Sequence, residues 1–350
     1  LGRGDTLRLG YHAMLRAVAD SGLTEDMISN PNTGCIVGTG GPSTIDQCDA
    51  WDTTRTRGPR RVGPRVVPPT MSSGLAAKIA TDFHIKGVGF AITSACATSA
   101  HCIGEAALKI ALGYQDVMFA GGSEDCHASK ACGFDGMGAL SRKRNETPSV
   151  ASRAFDADRD GFVDGAGGAI VVLEEIGHAL RRNAHIYAEV VGYGLTSDGY
   201  HMTDPSGEGA ARCMRMALRG LGNGVLVRPV DYANAHGTST FKGDFAEAKA
   251  FAEVFANDPM PLISSTKSIT GHALGGAGAL EAIYSLHMMA KGFVAGSAHI
   301  DTLDPEIEKL GTVGTKITRE TIRMPLTTVM SNAFGFGGPN VSLVFQRYEL

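Results

Sequence analysis

Short apolar runs that end on glycine or small polar residues alternate along this chain with longer stretches of helical period. Residues 33–41, 116–122, 168–174, 186–193, 230–235, 261–265, 326–332 and 340–346 read as strands. Residues 5–20, 72–84, 97–112, 207–221, 244–255 and 273–290 read as helices. The first carries Leu7, Tyr11, Met14, Leu15 and Val18 at helical spacing and is closed by Gly22. Strands alternating with helices predict α/β layers. Strands that are apolar at nearly every position predict sheets covered on both faces. The second half repeats the first in style, so a duplicated unit is expected, with halves at 1–183 and 184–350.

The stretch most informative about chemistry is residues 88–101. An apolar run over 88–93 reads as a short buried strand, and a helical run follows from Ala97. Cys96 therefore falls on a strand-to-helix turn, where free backbone N–H groups and the positive end of the helix dipole favour an anionic sulfur. Its neighbours Ser94, Ala95, Ala97 and Ser99 are small, which leaves a substrate room to approach. Read alone, such a cysteine is more often a small buried hydrophobe than a nucleophile.

Composition narrows the class. A chain of 350 residues with 43% hydrophobic and 19% charged residues is ordinary for a globular enzyme. A net charge of −4 gives no reason to expect nucleic-acid binding. The seven cysteines form no CxxC pair and no regular framework, so they read as reduced thiols of a cytoplasmic protein. No apolar stretch is long enough for a membrane span, and no signal-peptide pattern opens the chain. The chain begins Leu1-Gly2-Arg3-Gly4 without Met, so it reads as a fragment.

Two motifs are set aside. The turn Gly38-Thr39-Gly40-Gly41 lacks the Lys-Ser/Thr of a P-loop and the spacing of a dinucleotide fingerprint. The loop over 151–168 holds Asp156, Asp158, Asp160 and Asp164, but Arg153 and Arg159 interrupt it and the closing Glu of a calcium loop is absent. No metal is expected. Arg55, Arg57, Arg60, Arg61 and Arg65 form a basic loop that reads as solvated or as a docking patch for an acidic partner.

Two histidines complete the pattern. His236 lies in Asn234-Ala235-His236-Gly237-Thr238-Ser239-Thr240, and His272 closes Ser265-Thr266-Lys267-Ser268-Ile269-Thr270-Gly271-His272. A cysteine to accept an acyl group and two imidazoles to donate hydrogen bonds to a developing oxyanion suit thioester chemistry. With the run 94–104 around Cys96 and the segment 331–340 (Ser331-Asn332-Ala333-Phe334-Gly335-Phe336-Gly337-Gly338-Pro339-Asn340), these motifs resemble those of the β-ketoacyl-[acyl-carrier-protein] synthases. The likeness is strongest to type I of the bacterial dissociated system and covers essentially the whole chain.

That resemblance implies a thiolase fold, with two duplicated α/β halves in a five-layer αβαβα arrangement, as a homodimer. It implies Cys96 as the acylated nucleophile, and His236 and His272 as the pair that promotes malonyl decarboxylation. Lys267 and Glu281 match an active-site pair. Phe334 and Phe336 match a gating loop, with the Phe336 N–H joining that of Cys96 in an oxyanion hole. Thr238 and Thr240 match threonines that bind the phosphopantetheine arm, and Arg60 and Arg61 a basic surface for acyl carrier protein. No bound cofactor is implied, because the phosphopantetheine arrives on the carrier protein. True thiolases use a second cysteine as base and type III synthases replace one histidine by asparagine, so neither fits His236 and His272. A type II synthase, a polyketide ketosynthase or an inactive truncated homologue remain as alternatives. Phe241 and Lys242, and Pro339 in the glycine loop, depart from the family's usual residues. The family also carries a further strand and helix before the position of Leu1, whose lack would expose a sheet edge.

Overall fold

The computed structural model describes residues 4–221 and 229–349. The opening residues 1–3 lie outside the described residues. The chain forms two compact units: Leu1–Gly136 with Ala166–His185 and Ala273–Leu280, and Met137–Gly165 with Ile186–His272 and Glu281–Leu350.

The first unit is built on strands β1 (Thr33–Gly38), β2 (Gly89–Phe90), β3 (Val117–Glu124) and β4 (Gly167–Glu174), in the order β2-β1-β3-β4. β1 runs parallel to β2 and β3, and β4 is antiparallel to β3. Every residue of β1 and β3 is buried. Cys35, Val37, Val117 and Phe119 pack with Leu7 and Met14 of the helix Thr6–Ser21 and Leu75 and Ile79 of the helix Gly74–Asp82. The intervening Ile36 and Met118 are buried too and point to the opposite face, as the two-residue strand period requires. The helix Thr98–Ala111 packs on β1 and β3.

The second unit holds β5 (Glu189–Ser197), β6 (Tyr232–Asn234), β7 (Leu262–Ser264), β8 (Phe293–Val294), β9 (Ile322–Arg323), β10 (Thr328–Phe334) and β11 (Pro339–Gln346). Its main sheet has the order β5-β11-β10-β6-β7, and β8 pairs with β9. β6 is parallel to β7 and β10, whereas β11 is antiparallel to β10 and β5. The helices Glu208–Leu218 and Phe241–Val254 cover this sheet through Ala211, Met214, Ala248 and Phe251.

Several elements differ from the sequence expectation. The run 88–93 forms strand only at β2, an exposed sheet edge, because the chain then leaves the sheet to make the turn before Cys96. Only part of the basic stretch is a loop: Arg65 lies in a turn, but Arg55 and Arg57 lie in the last turn of the helix Thr44–Arg57, and Arg60 and Arg61 in the 3-10 turn Pro59–Arg61. That helix has little apolar content and so no period to read. Its Ser43 cap, Asp46 in the first turn and arginines in the last turn complement the helix ends instead. β4 and β5 belong to different sheets, separated by the helix Ile176–Arg181, whose cap Glu175 accepts the N–H groups of Gly177 and His178. The stretch 273–290 opens with a 3-10 turn, Leu274–Gly276, before the helix Ala277–Lys291.

One close approach fixes the first sheet. Gly38 and Gly122 are register partners in β1 and β3. A Cβ on Gly122 would lie 2.4 Å from the Gly38 carbonyl oxygen, and one on Gly38 would lie 2.0 Å from the Ile92 carbonyl oxygen and 2.6 Å from Thr98 Cγ2. Only hydrogen fits, so the strand pair can carry the turn and the start of the next helix directly on its backbone. Gly122→Ala is expected to cost about 2 kcal/mol or more through overpacking. Gly41→Ala, whose Cβ meets nothing within 4 Å, is expected to be nearly neutral. Urea unfolding of the two variants against the parent checks this.

Candidate active site

In the first unit Cys96 sits two residues before the helix Thr98–Ala111 and is 8% exposed. The turn that holds it is closed by short-range hydrogen bonds. The Ser94 N–H donates to Thr98 Oγ1 (2.8 Å), and the Thr98 hydroxyl donates to the Ala95 carbonyl (2.8 Å). Ala97 and Thr98 donate their N–H groups to the carbonyls of Ser94 and Ala95. Ala95 takes φ +50°, a left-handed conformation uncommon outside glycine, which turns the chain sharply before the sulfur. Ser94 Oγ lies 2.8 Å from His101 Nδ1, and burial pulls His101 down to about 4, so that ring stays neutral. The Ser99 hydroxyl accepts the Ala279 N–H at 2.9 Å, anchoring the first helical turn.

The second unit assembles the other candidates. His236 follows β6 and His272 ends the segment after β7. Their rings meet edge to face at 5.2 Å, with Phe162 against His272 (5.4 Å) and Phe334 against His236 (5.8 Å). The backbone of His272 is locked by its N–H to the Val163 carbonyl (2.8 Å) and by the Gly165 N–H to its own carbonyl (3.0 Å). Both ring nitrogens of His272 and Nδ1 of His236 have no hydrogen-bond partner among the described residues. Burial, then the nearby Lys267 ammonium, holds both histidines well below the usual value. Both are therefore neutral imidazoles, each offering one N–H donor and one acceptor.

Lys267 and Glu281 form a buried ion pair, 1% and 3% exposed at the side chain. Burial raises the Glu281 carboxyl, and the Lys267 charge opposes that rise. The Phe334-to-Pro339 turn is tied by Gly335 N–H to the Pro339 carbonyl (2.8 Å) and Gly337 N–H to the Met202 carbonyl (2.7 Å). Gly337 and Gly338 take φ near +88° and +87°, and Phe336 is half-buried. Pro339 opens β11.

Thr238 and Thr240 are neighbours, their hydroxyls 3.0 Å apart. Arg60 and Arg61 are exposed on the first unit. Sequence reasoning missed the groups that hold the His236 turn. Glu247 accepts the N–H groups of His236 (2.9 Å) and Gly237 (2.8 Å) on its two oxygens, and Asn332 Nδ2 donates to the first of these (3.2 Å). Burial pushes its carboxyl up to about 7. Asp244, pushed up to about 6 by burial, accepts from the N–H groups of Phe155 and Ser239. Arg159, fully buried, donates to the carbonyls of Thr240 and Phe241 and pairs with Asp304. The signal was present: Asp244 and Glu247 stand three apart on one helix directly after the histidine motif, so both face the same turn.

Comparison with known proteins places this arrangement. The β-ketoacyl synthase N-terminal domain profile matches residues 4–179, and the C-terminal domain profile matches residues 187–301. The chain belongs to the β-ketoacyl synthase family. It is 53% identical over 348 residues to 3-oxoacyl-[acyl-carrier-protein] synthase 1 of Haemophilus influenzae, covering 99% of this chain and 83% of that protein. It is 53% identical over 341 residues to the protein of the same name from Escherichia coli K12, covering 97% and 81%. A crystal structure of a β-ketoacyl synthase from Burkholderia phymatum superposes with a TM-score of 0.90 at 36% identity, over 99% of this chain and 83% of that one. The synthase has the thiolase fold expected from its motifs, and it is an acyltransferase of the condensing type.

The histidine site generates two expected outcomes. Removing one partner of the Lys267–Glu281 pair leaves an uncompensated buried charge, at a cost of about 3–5 kcal/mol. Lys267→Met and Glu281→Gln should each show that loss in urea unfolding, and the double variant should lose less than the two summed. The histidines also set a pH dependence. Their folded values lie below the unfolded value of about 6.5, so below that pH only the unfolded chain takes up the two protons, and stability falls by up to about 2.7 kcal/mol per pH unit. Glu247 and Asp244, raised in the fold, act in the opposite sense. A His236→Asn/His272→Asn variant keeps those carboxyls, so its unfolding free energy should fall less steeply than the parent's from pH 6.5 to 5.

Proposed function

We propose that this chain elongates acyl chains by two carbons, condensing malonyl-acyl carrier protein with an acyl group held on Cys96. The observation that carries the reading is a pair of neutral histidines in the second unit, His272 buried and His236 half-buried, with both ring nitrogens of the first and Nδ1 of the second unpartnered among the described residues, in a family member whose Cys96 stands at a helix start. The reaction runs in two halves. The Cys96 thiolate attacks the thioester carbonyl of acyl-carrier protein, and the oxyanion is held by the backbone N–H groups of Cys96 and Phe336. The tetrahedral adduct collapses and its C–S bond to phosphopantetheine breaks, and the departing thiolate takes up a proton in place of the one Cys96 released on ionising.

Malonyl-carrier protein then binds, its pantetheine arm hydrogen-bonded by Thr238 and Thr240. The bond to the carboxylate breaks, CO₂ leaves, and the electron pair moves onto the thioester oxygen. His236 and His272 stabilise that enolate by donating hydrogen bonds, which neutral imidazoles do without an extra charge. The enolate carbon attacks the acyl-Cys96 carbonyl and expels the thiolate, giving a 3-oxoacyl product. Burial, and after it the charge of Lys267 paired with Glu281, keeps both imidazoles unprotonated. Phe334 and Phe336 gate the acyl entrance. The phosphopantetheine is the substrate's own, and no metal takes part.

Arg60 and Arg61 are proposed to meet the acidic carrier protein. A solved type II polyketide ketosynthase, 29% identical with a TM-score of 0.91, is in complex with its acyl carrier protein. The exposed edge at β2, with Phe90 40% exposed, supports a homodimer that covers it. The duplicated halves are assigned to 1–183 and 184–350. No helix among the described residues is long and apolar enough to cross a membrane, and the protein is assigned to the cytoplasm.

The test is intact-protein mass spectrometry after incubation with acyl-carrier protein. The parent should gain one acyl group and Cys96→Ala none. Addition of malonyl-carrier protein should discharge it as a 3-oxoacyl product. His236→Ala and His272→Ala should still acylate but condense about 10²-fold or more slowly, the scale of a lost oxyanion donor. A folded parent that takes no acyl group would overturn the reading.

A further inference from the structure

One buried charged group in the first unit has no part in the chemistry above. Glu124, the last residue of β3, is fully buried, and Lys130 pairs with both Glu124 and Asp125. A carboxylate is rarely taken out of water unless something needs it there. Its second oxygen, Oε2, accepts the N–H of Gly40 at 2.7 Å and that of Gly275 at 3.2 Å. Both glycines are obligatory at this point. A Cβ on Gly40 would lie 2.5 Å from Glu124 Oε2, and one on Gly275 would lie 2.1 Å from the Gly40 nitrogen.

Gly40 in turn reaches the segment that leads to Cys96. Its carbonyl accepts the Thr93 hydroxyl at 3.2 Å, and Thr93 is the residue at which the chain enters the Ser94–Thr98 turn. Gly275 belongs to the 3-10 turn that leads into the helix Ala277–Lys291, whose Ala279 N–H holds Ser99. The carboxylate therefore holds two segments that in turn bond residues on either side of Cys96, Thr93 before it and Ser99 after it.

We propose that Glu124, neutralised by Lys130, is a positioning residue for Cys96. It fixes the turn that carries Ala95 at positive φ, so that the sulfur and the backbone N–H beside it are aimed before substrate arrives. This rests on Cys96 being the acylated nucleophile. Glu124 itself touches no reacting atom.

The experiment compares the full chain with Glu124→Gln, Lys130→Met and Lys130→Arg. The amide of Glu124→Gln keeps one acceptor oxygen but loses the charge, Lys130→Met leaves the carboxylate unpaired, and Lys130→Arg keeps the cation. Three quantities are read: melting temperature, the rate of Cys96 alkylation by iodoacetamide followed by peptide mass spectrometry, and kcat and KM for acyl transfer from acyl-carrier protein. Glu124→Gln and Lys130→Met should slow alkylation and kcat about tenfold at unchanged KM, with Lys130→Arg close to the parent. A merely structural role would lower the melting temperature and leave the Cys96 rates of the folded fraction unchanged, which overturns the proposal. Should Glu124→Gln not fold, the two Lys130 variants decide by the same readings. The parent separates this from the reading it rests on: alkylation of Cys96 without acylation by acyl-carrier protein counts against the nucleophile assignment, while parental rates in folded Glu124→Gln and Lys130→Met count against Glu124 alone.

Discussion

The histidine site depends on a cation that is buried together with its anion. Lys267 lies in the interior with Glu281 as its partner, and the attraction between them offsets part of the cost of desolvating each. The ammonium has an effect beyond the pair. Together with burial it makes protonation of His236 and His272 unfavourable. Both rings are left as neutral hydrogen-bond donors, with both nitrogens of His272 and Nδ1 of His236 unpartnered among the described residues. The proposed enolate site needs preorganised donors that carry no bound counter-ion, and neutral imidazoles are of that kind.

Backbone groups of the turns in and around the candidate site are held by buried carboxylates. Glu247 takes the two N–H groups at and after His236, and Asp244 takes those of Ser239 and Phe155. On the first unit Glu124 takes those of Gly40 and Gly275. Each carboxylate satisfies donors that a tight turn cannot satisfy within itself, and each fixes a loop that no regular sheet or helix would restrain. Rigid strands end, and charged acceptors hold the turns beyond them.

Much of this was legible in the chain. The alternation of apolar runs and helical stretches marked most strands and the longer helices, because burial on both faces leaves an unmistakable composition. The four motifs around Cys96, His236, His272 and Phe334 fixed the family. The Thr44–Arg57 and Ile176–Arg181 helices were missed because short or polar helices are specified by their caps and not by periodicity. The run 88–93 looked like a core strand because its residues are apolar. Only its place at the sheet edge, next to a turn, explains why so little of it pairs.

By itself the sequence singled out the groups proposed to do the chemistry, since reactivity belongs to residue type: a thiol before a helix, two imidazoles, a lysine and a glutamate. Tertiary structure alone decided their state. Neutral histidines, a lysine buried against its carboxylate, and Glu124, Glu247 and Asp244 turned inward onto backbone N–H groups all depend on which distant segments exclude water from them. Desolvation is a property of the packed neighbourhood, and a linear string of residues does not contain it.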